Sequence, residues 1–330
     1  MDVLVTGANG FAGRHVCQRL VATGHTVRGA VRSQDAAAAL PNHVEPYLVG
    51  DIETFHGWPA AVDGAESVVH LIARTHVIKE YENDPLARYR AVNVEGTRRL
   101  LEACREASVR RFLYVSSIKA VGEGADHAYC ENDPCRPEDA YGVSKLEAEE
   151  VVRQLGRELD LEPVIVRPPL VYGAGVGGNF LRMLRVVERG LPLPVGSVRN
   201  VRSMVFVENL ASAVETCLTS PAASGETFHV ADDRPLDTPT LVRLLAKYLN
   251  RPARLISVPA SLLRLTGALT NQQGQVSRLT GSLTVSTKKI ERLLGWHPPV
   301  SVADGIRRTV AGYQRGDGSS HPTAAQARAA

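Results

Sequence analysis

Long apolar runs are missing from these 330 residues. No stretch approaches the roughly 20 residues that a membrane-crossing helix needs, so stable membrane insertion is not expected. The chain opens directly on the strand-like Asp2-Val3-Leu4-Val5, with no charged segment leading into an apolar one. No secretory leader is therefore expected. Lysine is scarce: the six are Lys79, Lys119, Lys145, Lys247, Lys288 and Lys289, and arginine supplies the rest of the 38 basic residues. Those 38 stand against 35 acidic ones, a net charge of +3. There is no Lys/Arg run or basic patch interleaved with aromatics, which argues against a nucleic-acid partner. Cysteine is sparse, odd in number and scattered: Cys17, Cys104, Cys130, Cys135 and Cys217. None has histidines at metal-ligand spacing, so neither a disulfide framework nor a bound metal is expected. Reduced thiols in a cytoplasmic protein fit that usage. No internal repeat is visible.

What is present alternates. Short β-rich runs at Asp2–Thr6, Thr26–Val31, Val44–Val49, Ser67–Leu71, Arg111–Ser116 and Pro163–Arg167 are separated by amphipathic stretches such as Phe11–Ala22, Tyr89–Ala107 and Ala140–Leu159. Strands alternating with helices predict βαβ units, hence an α/β fold of the Rossmann type: a doubly wound parallel sheet that binds ligands beyond the carboxyl ends of its strands. The second half is more broken by Pro and Gly. Helical patterns at Asn179–Arg189, Val207–Thr219, Thr238–Asn250 and Ser301–Gln314, with short strands at Ser203–Phe206 and Thr227–Val230, read as a smaller α/β substrate-binding lobe. The organisation expected is a dinucleotide-binding domain over 1–169, the lobe over 170–315 with an interleaved boundary, and a small, polar, alanine-rich tail over 316–330, expected to be disordered.

The first strand runs into Thr6-Gly7-Ala8-Asn9-Gly10-Phe11-Ala12-Gly13 and then a helical pattern. Early glycines there let the backbone turn tightly against a pyrophosphate, and the last lets helix and strand approach. The helix start then offers free N–H groups to an anion. Gly7, Asn9, Gly10, Phe11 and Gly13 are the resulting cofactor contacts. A strand before the glycines and a helix after them is the context the motif requires.

The end of the second strand lacks a carboxylate. Arg32 and Ser33 stand where an acidic residue would hold a ribose 2′-hydroxyl. An arginine accommodates a 2′-phosphate instead, so the reading favours NADP(H), with NAD(H) as the alternative.

Tyr141-Gly142-Val143-Ser144-Lys145 opens a helical pattern, with Tyr141 and Lys145 four apart on one face. A free tyrosine titrates near pH 10, and a neighbouring ammonium would favour its phenolate. Ser116 and Ser117 end the fifth strand, where ligand-facing residues lie.

The glycine spacing G-x-x-G-x-x-G, the serine pair and the later Y-x-x-x-K, in this order, resemble the extended short-chain dehydrogenase/reductase family, in its NAD-dependent epimerase/dehydratase group of sugar-nucleotide enzymes. The resemblance covers nearly the whole chain. It implies Ser117, Tyr141 and Lys145 as the catalytic group, with Ser116 structural and Lys145 also on the nicotinamide ribose. It places Asp51 and Ile52 near the adenine and the loop of Leu71 and Ala73 beside the cofactor. It implies Asn93 as organiser of the active-site backbone and Pro168, in Arg167-Pro168-Pro169, beside the nicotinamide. Asn179 and Arg202 are similar to residues that hold a substrate diphosphate, alongside Ser117 and Tyr141 on the substrate. Ile72 and Arg74 depart from the family's H-x-A-A stretch, and Ser203 and Met204 from its R-D-Y-x-x-V strand.

The resemblance further implies a UDP-sugar substrate and a homodimer through Tyr89–Ala107 and Ala140–Leu159. With Arg32 favouring NADPH, and the Ser116–Gly122 and Arg167–Gly173 segments resembling bacterial surface-polysaccharide enzymes, the leading expectation is NADPH-dependent reduction of a nucleotide-linked 4-keto-6-deoxy sugar. An example is UDP-4-keto-6-deoxy-GlcNAc going to UDP-N-acetylquinovosamine. The alternative is an NAD-dependent 4-epimerase of a UDP-glucose or UDP-GlcNAc type of sugar. A third reading, a redox-sensing binding protein of the same fold, sits badly with an intact Ser117, Tyr141 and Lys145.

Overall fold

The computed structural model describes residues 1–75, 84–107, 109–259, 262 and 273–316. Among the described residues there are nine strands: β1 (Asp2–Thr6), β2 (Thr26–Val31), β3 (Val44–Leu48), β4 (Ser67–His70), β5 (Arg111–Val115), β6 (Glu162–Arg167), β7 (Leu170–Tyr172), β8 (Met204–Phe206) and β9 (Thr227–His229). The helices used below are α1 (Phe11–Ala22), α2 (Gln34–Ala38), α3 (Trp58–Val62), α4 (Pro85–Arg90), α5 (Gly96–Cys104), α6 (Ala140–Glu158), α7 (Gly178–Glu188) and α8 (Val207–Thr219). Seven strands make one parallel sheet in the order β3-β2-β1-β4-β5-β6-β9. The order reverses direction at β1, so the β1/β4 crevice is the switch point of this α/β sheet.

The buried strands read as continuous β-branched runs because both sheet faces are covered. On one face Leu4, Val68, Phe112 and Ile165 meet Trp58 and Val62 of α3, Leu100 and Leu101 of α5, and Ala148 and Val152 of α6. Each of the Leu, Val, Ile and Phe side chains among them contributes about 1.5–3 kcal/mol when fully buried. Val3, Val5, Val69 and Leu113, all buried, point to the opposite face by strand alternation. There α1 and α8 lie against each other.

The chain forms two compact units. One comprises Met1–Pro169, Val207–Ala231 and Val285–Pro299; the other comprises Leu170–Phe206, Asp232–Thr284 and Val300–Ala330. The second unit holds the two-stranded parallel pair of β7 and β8, with Tyr172 stacked on Phe180 and hydrogen-bonded through its hydroxyl to Asp232 (2.6 Å).

Three features differ from the sequence reading. The strand at Thr227–His229, assigned there to the smaller lobe, pairs with β6 as the edge of the main sheet. Strand β7 was not anticipated: three residues after two prolines are too few to show a period of two. The continuous helix expected over Tyr89–Ala107 is interrupted by a π-helical turn at Ala91–Glu95 between α4 and α5. The tail expected to be disordered lies, from residue 317 on, outside the described residues. Among the described residues no helix is long and apolar enough to cross a membrane.

Candidate active site

The turn after β1 is built around close backbone approach. Gly7 has φ of +68°, a left-handed conformation that glycine adopts without penalty, and its carbonyl accepts from the Gly10 amide at 2.9 Å. A Cβ on Gly13 would sit 2.0 Å from the Gly7 carbonyl oxygen and 2.9 Å from the Ala8 Cα. Gly13 therefore lets α1 start directly over the end of β1. The helix has Gly10 as its N-cap and no side chain capping it, so its first amides are left for an anion. Asn9, Gly10 and Phe11, all half-buried, line the same turn. A cradle that excludes even a methyl group and ends in open helix amides fits the pyrophosphate of a dinucleotide.

Parallel register then lines up the carboxyl ends of the central strands: Thr6 stands beside His70, and His70 beside Tyr114. His70 is fully buried, hydrogen-bonded through Nδ1 to Thr6 (2.6 Å) and through Nε2 to Thr97 (3.0 Å), and stacked on Tyr114. Burial, with help from the Lys145 charge, pushes its pKa down to about 3, so the ring is neutral and structural. Thr6 also accepts from the Leu71 amide (3.2 Å), fixing the start of the Leu71–Ala73 loop. These threonines were not singled out in the sequence; nothing local distinguishes them.

Asn93 lies inside the π-helical turn and is 1% exposed. Its Oδ1 accepts from the Arg74 amide (2.7 Å), and its Nδ2 donates to the Arg74 carbonyl (3.1 Å) and to Ser144 Oγ (2.9 Å). Ser144 in turn donates to the Tyr141 carbonyl (2.8 Å). One buried amide thus joins the loop after β4 to the first turn of α6. π-Turns of this kind recur at functional sites.

Helix α6 begins at Ala140 because Asp139 Oδ1 accepts from the Gly142 amide (2.7 Å), a cap contributing about 1 kcal/mol. Tyr141 occupies the first turn, half-buried, and its hydroxyl is hydrogen-bonded to Ser117, just past the end of β5. Burial pushes the phenol up to about 12, against that hydrogen bond, with the charge of Asp139 adding to the rise. Lys145, one turn on, is 1% exposed. Its ammonium donates to the Val115 carbonyl (2.8 Å) and sits 4.1 Å from the centre of the Tyr114 ring. Burial pushes it down to about 7. The three residues of the expected catalytic group are therefore gathered at the end of β5 and the start of α6.

The adjacent serine is engaged elsewhere. Ser116 donates to Glu149 Oε1 (2.5 Å), and Arg167 grips the same carboxylate through Nε (2.9 Å) and Nη2 (2.6 Å). Both members of that ion pair are buried. This network was not foreseen, because Glu149 and Arg167 meet only once α6 packs beside β6.

The remaining expected residues fall as follows. Arg32 and Ser33 lie just past β2, exposed, and the Ser33 hydroxyl caps α2 by accepting from the Ala36 amide. Asp51 is exposed and accepts from the Glu53 amide, whereas the Ile52 side chain belongs to the hydrophobic core. Pro168 is buried, and its carbonyl accepts from the Ile118 amide (3.0 Å), next to Ser117. In the second unit Asn179 is exposed in the first turn of α7. Arg202 there donates through Nη1 to the Gly281 carbonyl (2.9 Å).

Residues 3–231 match the model of the NAD dependent epimerase/dehydratase family. The chain belongs to that family. As a member it is an enzyme. Among curated relatives, a UDP-glucose 4-epimerase of Vibrio cholerae is 36% identical over 94% of this chain and 95% of its own length. An N-acetyl-α-D-glucosaminyl-diphospho-ditrans,octacis-undecaprenol 4-epimerase of Escherichia coli O157:H7 is 29% identical over 81% of this chain and 78% of its own. The family fold is visible in solved structures. That of a Thermotoga maritima UDP-glucose 4-epimerase with UDP-glucose superposes with a TM-score of 0.79 at 24% identity, covering 96% of this chain and 99% of that one.

Proposed function

We propose that this chain is an NAD-dependent 4-epimerase acting on a UDP-sugar. The observation that carries the reading is the Tyr141 hydroxyl hydrogen-bonded to Ser117 with the buried ammonium of Lys145 one helical turn away. It is an acid–base group suited to a sugar hydroxyl, in a chain 36% identical over nearly its full length to a UDP-glucose 4-epimerase. Gly7, Asn9, Gly10, Phe11 and Gly13 would hold the pyrophosphate. Asp51, Leu71, Ala73, Pro168 and Lys145 are the further proposed contacts. NAD, when bound, supplies reversible two-electron oxidation at the sugar C4. The chain's own part is proton transfer and positioning. Tyr141 as phenolate takes the proton of the 4-hydroxyl when C4 is oxidised and returns it when C4 is reduced from the other face. Ser117 hydrogen-bonds the same oxygen, and Lys145 favours the phenolate in the pH range where it carries its proton. Asn179 and Arg202 are kept as proposed diphosphate contacts on the strength of the sequence resemblance, and a cytoplasmic homodimer likewise.

This reading displaces the NADPH-dependent 4-ketoreductase favoured by the sequence. One observation still favours the reductase: Arg32 stands exposed beyond β2, with no carboxylate at the strand end. The deciding experiment denatures freshly purified protein and identifies the dinucleotide released, alongside a UDP-glucose/UDP-galactose and UDP-GlcNAc/UDP-GalNAc interconversion assay. Trapped NAD with interconversion and no added reductant supports the epimerase. An empty site that binds NADPH far more tightly than NADH, with no interconversion, overturns it in favour of the reductase.

A further inference from the structure

The turn after β5 and the start of α6 are held together by more than the Ser117–Tyr141 hydrogen bond. Lys119, two residues beyond Ser117, directs its ammonium at two carboxylates: Asp139 Oδ2 (2.5 Å) and Glu123 Oε1. Asp139 uses its other oxygen, Oδ1, to cap α6 at the Gly142 amide (2.7 Å). The backbones touch at the same place: a Cβ on Gly142 would lie 2.4 Å from the Lys119 carbonyl oxygen. Tyr141 sits between Asp139 and Gly142 in sequence. One side chain of the serine-bearing turn therefore grips the carboxylate that starts the tyrosine-bearing helix. The three charges are only partly solvated, at 21%, 26% and 27% side-chain exposure for Lys119, Asp139 and Glu123. Their interactions are therefore damped but not abolished by water.

We propose that Lys119 is a positioning residue for Tyr141: its ammonium locks the Ser117 turn onto the Asp139 cap and neutralises the carboxylate whose charge bears on the reacting phenol. This rests on the acid–base role proposed for Tyr141. The groups bearing on that phenol are Asp139 at the helix cap, to which Lys119 (itself paired with Glu123) is joined, Ser117 of the turn after β5, Lys145 one turn along the helix, Tyr114 of β5, and Tyr89 of α4, whose ring lies 6.1 Å from that of Tyr141. Arg74 in turn lies over the Tyr89 ring. Asp139 already pushes the phenol up. Removing the Lys119 charge leaves the Asp139 carboxylate unopposed, and a free carboxylate beside a phenol disfavours the phenolate.

The test follows ionisation of Tyr141 directly, through the near-ultraviolet phenolate band of NAD-loaded protein with the Tyr141→Phe variant subtracted, and in parallel the pH profile of UDP-glucose/UDP-galactose interconversion. In Lys119→Met the phenolate midpoint, and with it the rising limb of the rate, moves up by about one pH unit. Lys119→Arg keeps the wild-type midpoint. Adding Asp139→Asn to Lys119→Met brings it back down, because asparagine still caps the helix but carries no charge. A midpoint unmoved in Lys119→Met, or moved equally in Lys119→Arg, overturns the proposal. The two layers separate cleanly. A fully active Tyr141→Phe defeats the acid–base reading and this inference with it. An inactive Tyr141→Phe with an unmoved midpoint in Lys119→Met defeats this inference alone. The optical titration reads the midpoint even if neither sugar is turned over.

Discussion

Glu149 of α6 and Arg167 at the end of β6 form a buried two-pronged ion pair, with Ser116 donating to the same carboxylate. The pair bolts α6 to the sheet beside the serine turn. Desolvating these charges is tolerable only while each is satisfied: losing Glu149 strands the buried Arg167, whereas losing Arg167 leaves Glu149 with Ser116 and the half-buried Arg153, whose Nη2 lies 2.7 Å from Oε2. Glu149→Gln is expected to lower unfolding stability by about 3–5 kcal/mol, and Arg167→Met by less because Arg153 still pairs with Glu149. The double variant Glu149→Leu/Arg167→Met should lose less than the sum of the two single changes. Urea denaturation of the three proteins measures this, and additive losses would show that the pair does not act as a unit.

Tyr141→Phe keeps the ring that packs near Tyr89 and deletes only the oxygen. Interconversion of UDP-sugars is expected to fall by about a hundred- to ten-thousandfold, with NAD binding and thermal stability little changed. Ser117→Ala should fall less, because a hydrogen bond to the phenol is lost rather than the proton carrier itself. Rates read by chromatography, with calorimetric cofactor binding on the same samples, check both.

The strand–helix alternation made the α/β class readable from sequence, since buried parallel strands have to be β-rich runs. The glycine turn and the Tyr141/Lys145 pair were equally readable, because each is a local device whose spacing is fixed by one turn or one helix face. What stayed hidden depends on register and packing. Thr6, His70 and Tyr114 become neighbours only through strand pairing, 64 and 44 positions apart in the chain. Asn93 reaches Arg74 and Ser144 from a π-turn that helical periodicity does not show. Ile52, expected near the adenine, has its side chain in the core beside Gly96, a packing role its sequence neighbours do not show.

Lys145 should leave a signature in stability as well as in rate. Its pKa is about 7 in the fold and about 10.4 in an unfolded chain. Below pH 7 both states carry the proton, and the full burial penalty applies. Between about 7 and 10.4 the unfolded chain holds the extra proton, so stability rises with pH. Above that range both are neutral, and the penalty is gone. The stability of wild type relative to Lys145→Met is therefore expected to climb from pH 7 to pH 10. Denaturant midpoints collected across that range test the sign; a flat difference would mean that the lysine is not penalised by burial.

Gly13→Ala probes the cradle itself. The added methyl would lie 2.0 Å from the Gly7 carbonyl oxygen, a distance no rotamer can relieve because both groups are backbone-fixed. Either α1 shifts away from β1 or the Gly7 turn opens, and in both cases the helix amides move relative to the turn. Overpacking of this kind costs about 1–3 kcal/mol of stability. Cofactor affinity should fall by roughly tenfold or more, since about 1.4 kcal/mol of lost interaction suffices for that. Gly24→Ala is the matched control: Gly24 also lies in unit one, a Cβ there meets nothing within 4 Å, and its φ of +84° brings only local backbone strain. If the two variants bind NAD equally well, the close contact at Gly13 is not what shapes the site. If only Gly13→Ala loses NAD, the close approach of α1 to β1 that Gly13 permits is what shapes the site.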